Sequence, residues 1–500
     1  MDLILPILIL FPLLGALAVA AGPDGAARRI ALVFSAGSLA LAVLALLRFD
    51  VTVAGLQMVY RADWIPTLGA EWFFGADGLS LLLVLLTGLV TPFALWASPR
   101  NPDAPRLFYS LMLLLQSAVL GVFLTLNFVP WFLFWELSLI PAFILIKQWG
   151  GPKSGAAAYQ FFLYTMTGSI AMLLAFLAIF AATGSFDFMV LAQLGQQGQL
   201  AEILATKATA PLALIFAGVF LGLAVKVPVV PFHTWLPDTY AEAPTSVSML
   251  LTGLLSKMGL YGMLRLLLPM FPESIAHYGG LLLTLAMASI LLSALSALAQ
   301  TDLKRIFAYS SINHLGYCLL GIFAAGGALA SEGLSPAGQG TLAGVYFQIF
   351  NHGLTAAALF AFVALIEQRS GGRRGLDDFG GLRAAAPVLC GLMGLVLFAS
   401  IGLPGLSGFV GEFLIFKGSF SLIGGWVALA LPGLLITAVF LLRVMHRVFS
   451  GPLAPKWQSF PDLRPAEIGI LAPVAAALLL LGFFPGLLLR LFNSGLLLLP

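Results

Sequence analysis

The sequence predicts an all-α polytopic membrane protein of about fourteen transmembrane helices, with two inverted five-helix repeats that each contain a broken helix. Three observations predict it. Of 500 residues, 60% are apolar and only 9% charged; the apolar residues fall in continuous runs long enough to cross a bilayer; and two of those runs are interrupted by proline and glycine. Soluble domains carry about 25% charged residues, so a chain with a mean hydropathy of +1.04 lacks the polar surface to coat a water-soluble particle. The same composition excludes intrinsic disorder. A net charge of +3 on the whole chain leaves no basic tail and points to no nucleic-acid partner. Cys318 and Cys390, the two cysteines, lie far apart in apolar context and suggest neither a disulfide framework nor a metal cluster.

A crossing needs roughly 20 mostly apolar residues. Such runs fall at about 3–22, 29–47, 78–97, 108–127, 129–147, 157–183, 210–229, 243–268, 278–299, 304–326, 341–366, 385–421, 424–449 and 467–490. They are continuous and do not alternate, which indicates helices and not barrel strands. Only Met1 and Asp2 precede the first run, and without a basic segment before it a retained helix is expected in place of a cleaved signal. The basic residues test the count independently. With both termini outside, sixteen of the 24 lie in inner loops, among them Arg28, Arg100, Lys304, Arg369 and Arg464. Five, including Arg61 and Arg265, lie outside, and Lys226, Lys257 and Lys417 lie within spans. That asymmetry is the one cytoplasmic loops show.

Span 7 runs into Val225-Lys226-Val227-Pro228-Val229-Val230-Pro231. Proline removes a backbone donor and clashes with the preceding turn, so a kink or unwound stretch is expected. Span 12 is too long for one straight crossing at 1.5 Å per residue, and Gly402-Leu403-Pro404-Gly405-Leu406-Ser407-Gly408 is where it should open. The two breaks take similar places in spans 4–8 and 9–13. Five spans is an odd number, so the second block enters from the opposite side, as in the inverted repeats of secondary transporters. The expected organisation is therefore a three-helix segment over 1–107, a first repeat over 108–268, a second over 278–449, and a terminal loop and span over 450–500.

Charge is scarce inside these spans and falls beside the breaks. Glu136 and Glu412 are the acidic residues deep within spans, and Lys226 and Lys257 are the central basic ones. Each costs at least about 2.5–3.5 kcal/mol at the bilayer centre, so they must pair, lose charge or meet water. A structural Glu136–Lys226 ion pair is the plain alternative, but buried pairs are often no more stabilising than apolar packing. A proton relay explains their retention better. His314 and His352 sit within spans 10 and 11 among Ser, Asn, Tyr317 and Gln348; histidine titrates near physiological pH, so both join the relay candidates. His233, with Asp238 and Glu242, lies in the loop after the first break as either a cap or an uptake group. Lys417 is expected to snorkel. No metal-ligand spacing, phosphate loop, haem ligand pair or iron–sulfur cysteine set occurs.

Pro231-Phe232-His233-Thr234-Trp235-Leu236-Pro237-Asp238, Glu242-Ala243-Pro244-Thr245, Leu255-Ser256-Lys257-Met258-Gly259, Asp302-Leu303-Lys304-Arg305-Ile306-Phe307-Ala308-Tyr309-Ser310-Ser311 and Gly408-Phe409-Val410-Gly411-Glu412-Phe413 closely resemble the antiporter-like membrane subunits of respiratory complex I. The resemblance covers essentially the whole chain, with its core in about 108–449. Glutamate at 412, where L- and N-type members and Mrp antiporter subunits usually carry lysine, is most similar to the M type. The little sequence after span 14 leaves no room for the lateral helix of the L type.

The resemblance implies a proton channel with Glu136 paired to Lys226, Lys257 at its centre, His314 and His352 bridging the halves, and Glu412 near the outer exit. It implies no cofactor in this chain, with FMN, iron–sulfur clusters and quinone in partner subunits. The implied partners are lipid and the other membrane-arm subunits, especially the L- and N-type ones. The implied location is the bacterial inner membrane, with both termini periplasmic. A subunit of a Mrp-type Na+/H+ antiporter or of a membrane-bound hydrogenase is the alternative.

Overall fold

The structure, a computed structural model, describes residues 2–53 and 55–495. α1 (Ile4–Ala21) and α2 (Ala27–Arg48) pack together. Between α2 and the next helix lies a β-hairpin, β1 (Gln57–Ile65) and β2 (Ala70–Ala76), antiparallel with Tyr60 opposite Phe74 and Asp63 opposite Glu71. Hydropathy reads this segment only as a short loop. Within its aromatic-rich strands, Arg61 of β1 pairs with Asp187 and lies 3.7 Å over the Phe73 ring of β2.

α3 (Gly78–Ala97) starts from a capping box, in which Asp77 Oδ1 accepts from the Ser80 amide at 2.9 Å and the Asp77 amide donates to Ser80 Oγ at 2.8 Å. α4 (Pro105–Leu124) follows, then α5 (Phe128–Leu137) and α6 (Leu139–Trp149), which meet at Ser138, and α7 (Ser154–Thr183). The short α8 (Phe188–Gln196) and α9 (Gln199–Lys207) lead to α10 (Leu212–Lys226), bent 115° from α9.

Proline ends α10 as expected. Residues 227–234 leave the helix, with the bonds before Pro228 and Pro231 cis, and α11 (Trp235–Glu242) resumes it. The backbone groups freed there find partners. The Val229 amide donates to the Ala224 carbonyl at 2.7 Å, and the Val230 amide to Ser289 Oγ at 2.9 Å.

Span 8 is less regular than its apolar pattern implies. α12 (Thr245–Leu250), α13 (Ser256–Gly262) and α14 (Leu268–Met270) are joined by two π-helical turns, Leu251–Leu255 and Met263–Leu267. α15 (Pro272–His277), α16 (Gly279–Ala299), α17 (Leu303–Glu332) and α18 (Pro336–Ser370) complete the central part. The apolar stretches of 245–270 and of α18 are wholly buried, so these two elements form the core, with α18 packed on α3, α17 and α20 (Ser407–Ile423). α19 (Pro387–Ile401) and α20 are separated by the glycine- and proline-rich stretch where span 12 should open. α21 (Leu431–Phe449), α22 (Pro465–Phe483) and α23 (Gly486–Gly495) close the chain.

Among the described residues, twelve helices are long and apolar enough to cross a membrane, or thirteen with the bent α9–α10 pair. A count of fourteen requires 407–449, one apolar stretch of 43 residues, to be divided at its 3-10 turn between α20 and α21. Two loop assignments need correction. Arg265 lies inside the buried 245–270 stretch, and Lys304 is buried at the start of α17.

Candidate functional site

The buried charges gather where the helices are irregular. Lys226 is the last residue of α10, where exposed carbonyls favour a cation. Its Nζ donates to Ser138 Oγ at 3.2 Å and lies 5.0 Å from the Trp135 ring, close enough for a cation–π contact. Ser138 is available because α5 gives way to α6 there. Glu136, half-buried in α5, leaves Oε1 without a hydrogen-bond partner. No nitrogen–oxygen approach within 4.0 Å joins Glu136 to Lys226 among the described residues. The direct pair that the family resemblance implies is therefore open in this conformation, with Ser138 holding the ammonium in its place.

Lys257, fully buried in α13, is the second residue after the first π turn. A π turn displaces the usual i→i−4 ladder and frees carbonyl capacity. The Thr252 carbonyl uses it to accept from Lys257 Nζ at 2.6 Å and from Ser256 Oγ at 3.1 Å. On its other side Lys257 Nζ lies 2.7 Å from His352 Nδ1 of α18. The His352 ring stands 5.5 Å, centroid to centroid, from that of His314 in α17. His314 Nδ1 is 3.2 Å from Glu412 Oε1, close but not aligned as a hydrogen bond, and both ring nitrogens of His314 lack one.

Glu412 is held by neighbours that lock one another. Gln348 Nε2 donates to its Oε1 at 3.3 Å, Asn351 Nδ2 donates to Gln348 Oε1 at 3.2 Å, and Ser407 Oγ donates to Asn351 Oδ1 at 2.5 Å. The break before α20 shapes this end. Gly402 has φ +82°, and a Cβ there would stand 2.6 Å from Glu412 Oε2, so only glycine lets the turn close over the carboxylate.

The structure thus joins Lys257, His352, His314 and Glu412 in one buried file and leaves Glu136 and Lys226 as a separate group beside it. The helices that carry Lys226 and Lys257, α10 and α13, pack against each other. Val227, next to Lys226, packs where a Cβ on Gly259 would come within 2.8 Å of it, two residues from Lys257. His233 Nδ1 is buried without a partner and belongs to neither group. Asp77 and Arg265 form a buried ion pair that sequence reasoning missed. Arg265 lies in the second π turn, next to the Tyr261 ring, and the Tyr261 hydroxyl has no partner. Lys304 Nζ donates to the Ala243 carbonyl at 2.6 Å, beside a cavity of about 330 Å³ that Glu242, Glu367 and Arg374 also line. Asp77 lies one residue outside an apolar run and Arg265 near the end of another, so hydropathy gave no sign of either; the Asp-x-x-Ser cap was the available cue.

Residues 125–437 match the family described as NADH:quinone oxidoreductase/Mrp antiporter, transmembrane. Chain 4 of the NAD(P)H-quinone oxidoreductase of Synechococcus elongatus is 37% identical over 97% of this chain and 89% of its own. Subunit M of the F(420)H(2) dehydrogenase of Methanosarcina mazei is also 37% identical, over 90% and 88%. A chain of respiratory complex I from Thermus thermophilus with bound NADH superposes with a TM-score of 0.84 at 28% identity, covering 99% of both chains.

Proposed function

This chain belongs to the NADH:quinone oxidoreductase/Mrp antiporter transmembrane family, and from that membership we infer that it is a proton-translocating membrane-arm subunit of an NADH:quinone oxidoreductase. It is an integral, multi-pass membrane protein. The observation that carries the proton role is the buried file Lys257–His352–His314–Glu412, drawn from α13, α17, α18 and α20. Scaffolding alone would not require four ionisable groups in mutual reach at the core of the bundle.

The 2.7 Å Lys257–His352 separation admits one proton between the two nitrogens. Either the ammonium donates to a neutral imidazole, or the imidazole N–H donates to a neutral amine. A proton arriving at Lys257 can therefore leave through His352, and rotation of His314 carries it to Glu412. Glu136 and Lys226 set the direction. Like charges repel more strongly in the low-dielectric interior of the bundle than in water. An unpaired Lys226 cation next to α13 favours proton loss from Lys257, whereas Lys226 neutralised by Glu136 favours uptake. The seat on Ser138 is the unpaired position.

Energy for the cycle enters from outside the chain. FMN, iron–sulfur clusters and quinone belong to partner subunits in this reading, and the L- and N-type subunits are its neighbours in the bacterial inner membrane, with both termini periplasmic. The two broken spans, 7 and 12, mark the inverted halves 108–268 and 278–449. The test replaces Glu136, Lys226, Lys257, His314, His352 and Glu412 singly in the assembled complex and records vesicle acidification during NADH oxidation. Loss of acidification with the complex intact supports the reading. Sodium-dependent proton exchange without NADH oxidation would overturn it in favour of an antiporter subunit.

A further inference from the structure

Away from the buried file, a cavity of about 610 Å³ opens where α3 ends. Its walls come from the start of α2, the end of α3, the end of α18 and the segment leading into α22. Arg28, Arg100, Arg369 and Arg464 line it against one carboxylate, Glu467. That carboxylate is already engaged, accepting from Arg369 Nη2 at 2.5 Å and from the Arg464 amide at 2.7 Å. Arg28 spends Nη2 on the Trp96 carbonyl at 2.7 Å and keeps a buried Nε with no partner. Arg100 and Arg464 are exposed, and among the described residues neither forms an ion pair. The cavity holds a surplus of positive charge and a buried donor without an acceptor.

An apolar track leads away from it. Within α3 every residue is buried except Leu85, Leu89, Pro92 and Trp96. Their spacing of four, three and four keeps them in one row on one helix face, and the row ends at Trp96 in the cavity wall. α2, which packs on α3, and α22, whose first turn lines the cavity, are the two least buried spans, with 28% and 22% of their apolar stretches buried. The row is one side chain wide, whereas a packed helix is about 10 Å across, so it suits an extended hydrocarbon chain better than a protein segment.

We propose that this cavity binds the phosphate headgroup of an anionic membrane phospholipid, with an acyl chain along the Leu85–Trp96 face of α3. Guanidinium groups match phosphate oxygens in pairs, tryptophan favours the membrane interface, and basic pockets between transmembrane helices suit such headgroups. Arginine supplies the anchor and α3 the track.

The test uses the assembled complex, unaltered and with Arg100→Gln/Arg464→Gln, two exposed residues outside the buried file. Both are exchanged into phosphatidylcholine nanodiscs, with and without phosphatidylglycerol or inorganic phosphate, and bound lipid is counted by native mass spectrometry alongside thermal stability. The unaltered complex should retain phosphatidylglycerol and gain stability from it. The double variant should bind it about 30-fold more weakly, from the contribution of two arginines near a membrane surface, while NADH oxidation stays unchanged in excess lipid. Equal retention by both overturns the proposal. Stabilisation by inorganic phosphate equal to that by phosphatidylglycerol overturns it as well, by revealing a free-anion site. So does cross-linking of a partner subunit's peptide to a photoreactive residue at Trp96.

Discussion

Lys257 Nζ and His352 Nδ1 face each other at 2.7 Å across the contact between α13 and α18. Each supplies what the other lacks, because an ammonium has no lone pair and a neutral imidazole nitrogen has one. The π turn at Leu251–Leu255 makes this possible by freeing the Thr252 carbonyl to hold the ammonium from behind.

Replacing His352 with phenylalanine keeps a flat ring in the space and removes the proton carrier. A positioned acid–base group contributes about 10²–10⁴-fold to a proton transfer. Translocation through this subunit should fall at least about 100-fold while the complex still assembles, read as fewer protons moved per NADH oxidised.

Glu136 and Lys226 should behave as one unit even though they are apart in this conformation. Glu136→Gln, Lys226→Met and the double variant form a cycle. If the ion pair re-forms during turnover, the double variant should be no slower than the worse single variant, with a coupling of about 0.5–3 kcal/mol. Strictly additive changes in activation free energy would show that the two never meet.

Asp77→Asn should destabilise the chain by about 3–5 kcal/mol, because it leaves the Arg265 guanidinium buried without its counter-charge. Replacing both, as Asp77→Asn/Arg265→Met, should recover most of that loss. Thermal unfolding of the complex in detergent, followed through this subunit, distinguishes the two outcomes.

Gly402→Ala places a methyl group against Glu412 in a backbone conformation that costs an L-residue about 1–2 kcal/mol. Transport should drop as the carboxylate is pushed from His314. Gly391→Ala in the preceding helix α19, where an added Cβ meets nothing within 4 Å, should leave transport unchanged.

The helical class and both breaks were legible because they rest on strong local physics. Continuous apolar runs cannot be solvated, and Pro228 and the Gly402–Leu406 stretch do not continue a helix. Glu136, Lys226, Lys257 and Glu412 stood out because a charge within an apolar run is costly wherever it lies.

What stayed hidden depends on contacts distant in sequence. The π turn before Lys257, Leu251–Leu255, has an ordinary, mostly apolar sequence, and nothing in the order of residues places His352 rather than Glu136 or Lys226 beside it. Arg265 reads as a loop residue until Asp77, 188 positions away, arrives to bury it. The hairpin 57–76 is too short and too mixed in polarity for a hydropathy window to resolve. Lys226 resting on Ser138 instead of Glu136 is a choice between two nearby acceptors, which one sequence does not encode as a single answer.

The most direct measurement is the number of protons translocated per NADH oxidised by the liposome-reconstituted complex carrying Lys257→Met. If protons pass along Lys257, His352, His314 and Glu412, the assembled variant loses translocation through this subunit and the ratio falls. An unchanged ratio at normal turnover would contradict the account.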